Sequence, residues 1–207
     1  MKLYYFPGAC SLAVNIALRE AEFTFELVHV DLYQHTLASG VAFSNVNPKN
    51  YVPALETDDG DLLTEVAAIL QWIGEHPDSS NLLPGSGTRD LRRAREWLNF
   101  VATELHKGFS PWLFNDDTAS PTRNRVISKL ETRFEHLDKH LANRDFVLGD
   151  GFSVVDAYLF TIVNWAGGLK VDLTAYPSLR AYLDRVASRP HVRAAMISEG
   201  LIEAVAA

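Results

Sequence analysis

The sequence predicts a small α/β domain followed by an all-helical one. Up to residue 75, short apolar strands alternate with amphipathic helices. Residues 76–88 then gather Pro77, Pro84, Gly85, Gly87 and several serines, the composition of a linker. Beyond residue 89 the apolar residues recur with helical spacing. The domains are therefore expected at 1–78 and 89–207, joined by 79–88.

Residues 2–6 read as a short buried strand that breaks at Pro7-Gly8. Residues 11–20 set Leu12, Ile16 and Ala17 on one helical face and close with Arg19-Glu20. Residues 25–30 alternate Phe25, Leu27 and His29 against Glu26, Val28 and Val30, a strand pattern. The polar stretch 33–44 is expected to hold a short helix. Residues 52–56 and 62–64 form a strand pair, because the Asp59-Gly60 step suits a tight hairpin turn. Residues 65–75 place Ala68, Ile69, Trp72 and Ile73 on one face of a helix. The order is β-α-β-α-β-β-α. In the second half, helices are predicted over 89–113, 122–141, 154–166, 176–188 and 190–197.

The fourth-last residue of Ser153-Val154-Val155-Asp156 and its partner three positions on form a capping-box pattern, with Phe152 before it and an apolar helix after it. Ser153 and Asp156 are expected to fix the start of a helix buried on all sides. Replacing Asp156 by Ala is expected to lower stability by about 1–2 kcal/mol.

A 207-residue chain with 47% hydrophobic and 22% charged residues can bury a substantial core. Its net charge of −7 argues against a nucleic-acid partner, which favours a basic face. No window approaches the ~20 apolar residues of a membrane span. Met1-Lys2-Leu3-Tyr4-Tyr5 reads directly as strand rather than signal peptide. One cysteine, Cys10, suits a reducing compartment, so a cytoplasmic protein is expected. At a helix start its thiolate is favoured by unpaired N–H groups and the helix dipole. Taken alone, Cys10 is either a reactive group or a small buried hydrophobe.

A helix-start cysteine after the first strand, a Val-Pro opening the third strand and an acid starting the helix after a hairpin occur in order. The chain resembles the glutathione S-transferases, whose fold is a thioredoxin-like βαβαββα domain followed by an all-helical one. More closely it is similar to the bacterial beta-class, cysteine-type enzymes. Pro7-Gly8-Ala9-Cys10-Ser11-Leu12, Val46-Asn47-Pro48-Lys49, Val52-Pro53-Ala54-Leu55, Leu62-Leu63-Thr64-Glu65, Glu96-Trp97-Leu98-Asn99, Thr103-Glu104-Leu105-His106-Lys107-Gly108-Phe109 and Asp156-Ala157-Tyr158-Leu159-Phe160 carry the likeness.

The resemblance implies a detoxifying transferase that conjugates the glutathione thiolate to small hydrophobic electrophiles. Glutathione is then a co-substrate, with no metal or other cofactor, and the protein is a homodimer. Cys10 and His106 would be the catalytic residues. Cys10 could also exchange disulfides with glutathione. Val52 would pair its backbone with the cysteinyl moiety, beside a cis Pro53. Glu65 would accept from the γ-glutamyl ammonium, and the Val66 N–H would hold the γ-glutamyl carboxylate. His35 would face the glycyl carboxylate. Asn99, Thr103 and His106 share a helical face by spacing, which alone fits a solvated face as well as a ligand-facing one. By resemblance they belong to the glutathione site with Glu104, Leu105 and Lys107. The electrophile pocket would involve Phe6, Ala9, Phe109, Trp112, Leu113 and Trp165.

The chain departs from the family pattern at five positions. His35 stands for the usual Lys, Asn50-Tyr51 for Gly-Gln, Val66 for Ser or Gly, and Phe6 for Lys. Losing two polar contacts would weaken glutathione binding by ~10- to 1000-fold. The departures leave an alternative open: a non-catalytic carrier of hydrophobic ligands on the same fold.

Overall fold

The computed structural model describes residues 1–204 apart from 78, 80 and 150. The chain forms two compact units. One combines Met1–Leu82 with Arg189–Ala207, and the other is Leu83–Ser188.

The first unit holds a mixed five-stranded sheet in the order β3-β2-β1-β4-β5. These strands are β1 (Lys2–Tyr5), β2 (Glu26–Asp31), β3 (Thr36–Leu37), β4 (Ala54–Glu56) and β5 (Leu62–Thr64). Central β1 pairs parallel to β2, with Leu3 beside Leu27, and antiparallel to β4, with Leu3 beside Leu55. The parallel pair is made possible by the crossover helix α1 (Ser11–Glu20). The β4–β5 turn closes as the Thr57 N–H donates to the Asp61 carbonyl at 2.9 Å. Gly60 supplies the positive φ of 86° which that turn requires.

Residues 33–44 do not form the expected helix. The Asp31 carboxylate accepts from the N–H groups of Tyr33 and Gln34 at 2.8 and 3.0 Å, turning the chain back. Thr36 and Leu37 then pair antiparallel with Asp31 and Val30 as an added edge strand. Only Phe43–Asn45 makes a single 3₁₀ turn. Its Phe43 ring is buried at the apolar cluster of Tyr4, Val30, Val52 and Ala54.

Helix α2 (Val66–Glu75) packs against α1. So does the last helix, α8 (Pro190–Ser198), which the sequence assigned to the helical half. Specific polar contacts hold it there. Arg189 donates to both carboxylate oxygens of Glu20 at 2.7 Å, and the His191 ring meets the Arg19 carbonyl. Glu199 accepts from the Gly8 N–H at 2.9 Å and from the Asn15 amide at 3.0 Å.

The second unit is helical: α3 (Arg89–Phe100), α4 (Lys107–Phe109), α5 (Ser120–Leu141), α6 (Val154–Gly168) and α7 (Pro177–Ala187). Thr88 caps α3 by accepting from the Leu91 N–H at 3.1 Å. Val101–His106 forms a π-helical turn between α3 and α4, which the periodicity did not indicate. The helical run stops at Phe109 rather than 113, because Pro111 has no N–H to continue it.

Helix α6 is buried from Val154 through Val163. Its capping box is formed at Ser153 and Asp156. The Asp156 carboxylate accepts from the Ser153 N–H (2.9 Å), the Ser153 hydroxyl (2.7 Å), the Val147 N–H (2.8 Å) and the Tyr182 hydroxyl (3.1 Å). Burial nevertheless pushes its pKa up to about 6, against those hydrogen bonds. Among the described residues no helix is long and apolar enough to cross a membrane.

Candidate functional site

In the first unit Cys10 occupies the N-cap position of α1. Its side chain is nearly buried, and Sγ lies 3.5 Å from the Val52 carbonyl, to which the thiol donates. The loop before it is fixed at two points. The Ser11 hydroxyl accepts from the Phe6 N–H, and Glu199 accepts from the Gly8 N–H. Burial raises the Glu199 carboxyl to about 7. The thiol is thus presented at the positive end of a helix by a loop tied to the unit's last helix.

Val52 and Pro53 are both buried, and their peptide bond is cis. Glu65 follows β5 and precedes α2 with φ of 71°, a conformation that costs a non-glycine residue of order 1–3 kcal/mol. Its carboxylate is 60% exposed and accepts from the Tyr51 hydroxyl. The Lys49 ammonium lies 3.5 Å from the same carboxylate and 2.8 Å from the Thr64 hydroxyl. Donation to Glu65 pushes the Tyr51 phenol up to about 12. Val66 opens α2 and is buried.

The remaining predicted positions of this unit lie near its apolar cluster or at its surface. Phe6 and Ala9 are partly buried against the Tyr4–Phe43 cluster. Phe6 also meets His29 and Tyr33, with ring centroids 5.9 and 6.0 Å away. His35 is exposed with φ of 54°, and its carbonyl accepts from the Phe43 N–H at 2.8 Å.

In the second unit Asn99 lies on α3, Thr103 to His106 on the π turn, Lys107 and Phe109 on α4, Trp112 and Leu113 just beyond it, and Trp165 on α6. Asn99 and Thr103 are exposed, and both side chains bond back to their own helix, at the carbonyls of Arg95 and Asn99. Glu104 is engaged by Arg133 of α5, with Lys129 at 3.8 Å. Donation from Arg133 lowers its pKa. Leu105 is fully buried, while Lys107 is exposed. His106 is partly buried, with Nδ1 2.7 Å from the Tyr158 hydroxyl and its ring centroid 5.2 Å from that of Trp165. Phe109 and Leu113 are buried. Phe109 packs against Phe134 and Trp165. Trp112 is 47% exposed. Among the described residues, no group of three His, Cys, Asp or Glu side chains is placed to hold a metal ion.

Sequence reasoning overlooked several partners. Tyr158 sits within an apolar helix, and its hydroxyl was a signal, since a buried phenol finds a hydrogen-bond partner. Tyr51 entered only as a departure from a pattern, with no indication that it reaches Glu65. Glu199 carried no signal, because its bond to Gly8 spans 191 residues.

Residues 8–76 match the family model for the glutathione S-transferase N-terminal domain, and residues 100–190 match that for the C-terminal domain. A glutathione S-transferase from Escherichia coli O157:H7, GstA, is 43% identical over 97% of this chain and 100% of its own. A sphingomonad glutathione S-transferase complexed with glutathione superposes with a TM-score of 0.92 at 42% identity, covering 98% of this chain and all of its own. The bacterial beta-class enzyme of Sphingomonas chungbukensis does so with a TM-score of 0.92 at 41% identity and the same coverage. With the sheet, the helix-start thiol and similarity along nearly the whole chain in agreement, this chain belongs to the glutathione S-transferase family, among its bacterial beta-class members.

Proposed function

We propose that the protein conjugates the thiolate of glutathione to small hydrophobic electrophiles. The glutathione sulfur attacks the electrophilic carbon, the carbon–sulfur bond forms, and the leaving group departs with the displaced electron pair. The full-length likeness to a named glutathione S-transferase is the observation that carries this reading. The chemistry of the first unit supports it. Cys10 lies at the N-terminus of α1 beside the Val52 carbonyl. An extended cysteinyl backbone would pair with the Val52 main chain, bringing the ligand sulfur to Cys10. Glu65 would accept from the γ-glutamyl ammonium, and the α2 N-terminus would receive the γ-glutamyl carboxylate.

Within the second unit, when the His106 Nδ1 accepts from Tyr158, the ring proton sits on Nε2, from which the ring can donate to an anionic atom. Tyr158 is then a positioning residue for the ring. Cys10 supports a second chemistry on the same ligand. Its thiolate attacks a glutathione mixed disulfide, expels the partner thiolate and becomes glutathionylated; a second glutathione thiolate then restores Cys10 and leaves as glutathione disulfide. The working form in this reading is a cytoplasmic homodimer that needs glutathione as co-substrate and no metal.

Turnover of an activated aryl halide with glutathione, in wild type and Cys10→Ala, tests the proposal. Mass spectrometry of protein treated with glutathione disulfide accompanies it. Glutathione-dependent turnover with a Cys10 adduct is expected. Binding of apolar dyes with no turnover and no adduct would replace the proposal by the carrier alternative.

A further inference from the structure

The environment of Glu65 contains two groups that compete for whatever cation this carboxylate receives. The Tyr51 hydroxyl donates to it, and the Lys49 ammonium stands 3.5 Å away. Neither is placed loosely. The Tyr51 carbonyl accepts from the amide of buried Asn47 at 2.8 Å, and the other end of that side chain accepts from the Lys49 N–H at 3.0 Å. The Lys49 ammonium also donates to the Thr64 hydroxyl at 2.8 Å, next to Glu65 in the chain. Buried Asn47 therefore fastens the loop from which both residues reach the carboxylate.

We infer that Tyr51 and Lys49 compete with a ligand's ammonium for Glu65, and so make this protein tolerant of ligands that lack that ammonium. The inference rests on the glutathione reading above and concerns how the γ-glutamyl end is discriminated. An arriving ammonium gains a charge partner but must share or displace donors already in place. A ligand without it leaves Glu65 satisfied by Tyr51 and Lys49 rather than exposed and unpaired. Both side chains of the Lys49–Glu65 pair are half exposed or more, so solvent keeps the contacts weak enough to be exchanged. Tyr51 is thus a specificity residue, acting through the acceptor it occupies.

The test is calorimetric titration with glutathione and with glutaryl-cysteinyl-glycine, which is glutathione without its amino group. Wild type, Tyr51→Phe, Lys49→Met and Glu65→Gln are compared. In wild type, loss of the amino group is expected to weaken binding only about threefold. Tyr51→Phe and Lys49→Met should each widen that ratio to about tenfold, mainly by tightening glutathione. Glu65→Gln should bring the ratio close to one. Binding with the same or a narrower ratio in Tyr51→Phe and Lys49→Met overturns the inference and leaves the glutathione reading standing. Failure of every variant and the wild type to bind glutathione overturns both.

Discussion

Helices α6 and α2 each begin beside an acidic side chain, and these two acids are treated in opposite ways. Asp156, in the first turn of α6, is fully buried and accepts from backbone, serine and tyrosine donors. Glu65, just before α2, is 60% exposed, holds a positive φ and makes no side-chain cap. The first arrangement uses the carboxylate to complete the interior. The second accepts backbone strain and leaves the carboxylate within reach of exchangeable partners. An acid at a helix start therefore has no fixed meaning. Burial and the number of fixed donors decide whether it serves the fold or a ligand.

Asp156→Ala tests this contrast hardest. It would leave the Val147 and Ser153 N–H groups and the Tyr182 hydroxyl without their acceptor in the interior, at about 1–3 kcal/mol for each group left unsatisfied. The expected loss is about 3 kcal/mol or more, above the ~1–2 kcal/mol of a simple cap, and denaturant unfolding measures it. A loss below about 1 kcal/mol would reduce Asp156 to an ordinary cap.

The pH dependence of stability comes next. With its pKa raised from 3.8 to about 6, Asp156 binds its proton more tightly in the folded state. Its contribution is complete below pH 3.8 and is lost as pH rises through about 6. The amplitude is about 3 kcal/mol. Glu199 acts with the same sign, between 4.5 and about 7. His140 opposes them, because burial lowers its pKa, so its contribution grows as pH rises towards 6.5 and is complete above it. Subtracting the pH profile of Asp156→Asn from that of wild type isolates Asp156. The difference should change between pH 4 and 6 and be level above 7; a difference level throughout would contradict the buried-acid account.

Glu65→Gln should have the smallest effect on the fold, a change within about 0.5 kcal/mol by thermal unfolding. In the glutathione reading it should still weaken glutathione binding by about threefold, because the exposed pair is screened. A large loss of stability with unchanged binding would move Glu65 to the structural side of the comparison.

Local chemistry made much of the fold legible. The Pro7-Gly8 break before α1, the Asp59-Gly60 hairpin and the Ser153–Asp156 cap each act within a few residues, and each is present in the structure. Strand β3 was not legible, because two residues set no period, and its pairing depends on the turn at Asp31. The π turn over Val101–His106 keeps helical patterning while altering the hydrogen-bond ladder, so apolar spacing hardly registers it. For the candidate site, chain position indicated a thiol at a helix start. It could not indicate that Arg133 engages Glu104 from 29 residues away, or that Tyr51 reaches Glu65 from across a hairpin.

The return of α8 to the first unit has a consequence for the growing chain. The Gly8 N–H waits for Glu199, 191 residues later. At roughly 5–20 residues per second, a ribosome takes about ten to forty seconds to cover that interval. Through that interval the stretch carrying Cys10 has been translated, while the contacts that tie α1 to α8 have not yet been made. A nascent chain halted before Arg189 therefore carries the thiol on an unfinished unit, and α8 completes the support of a residue made long before it.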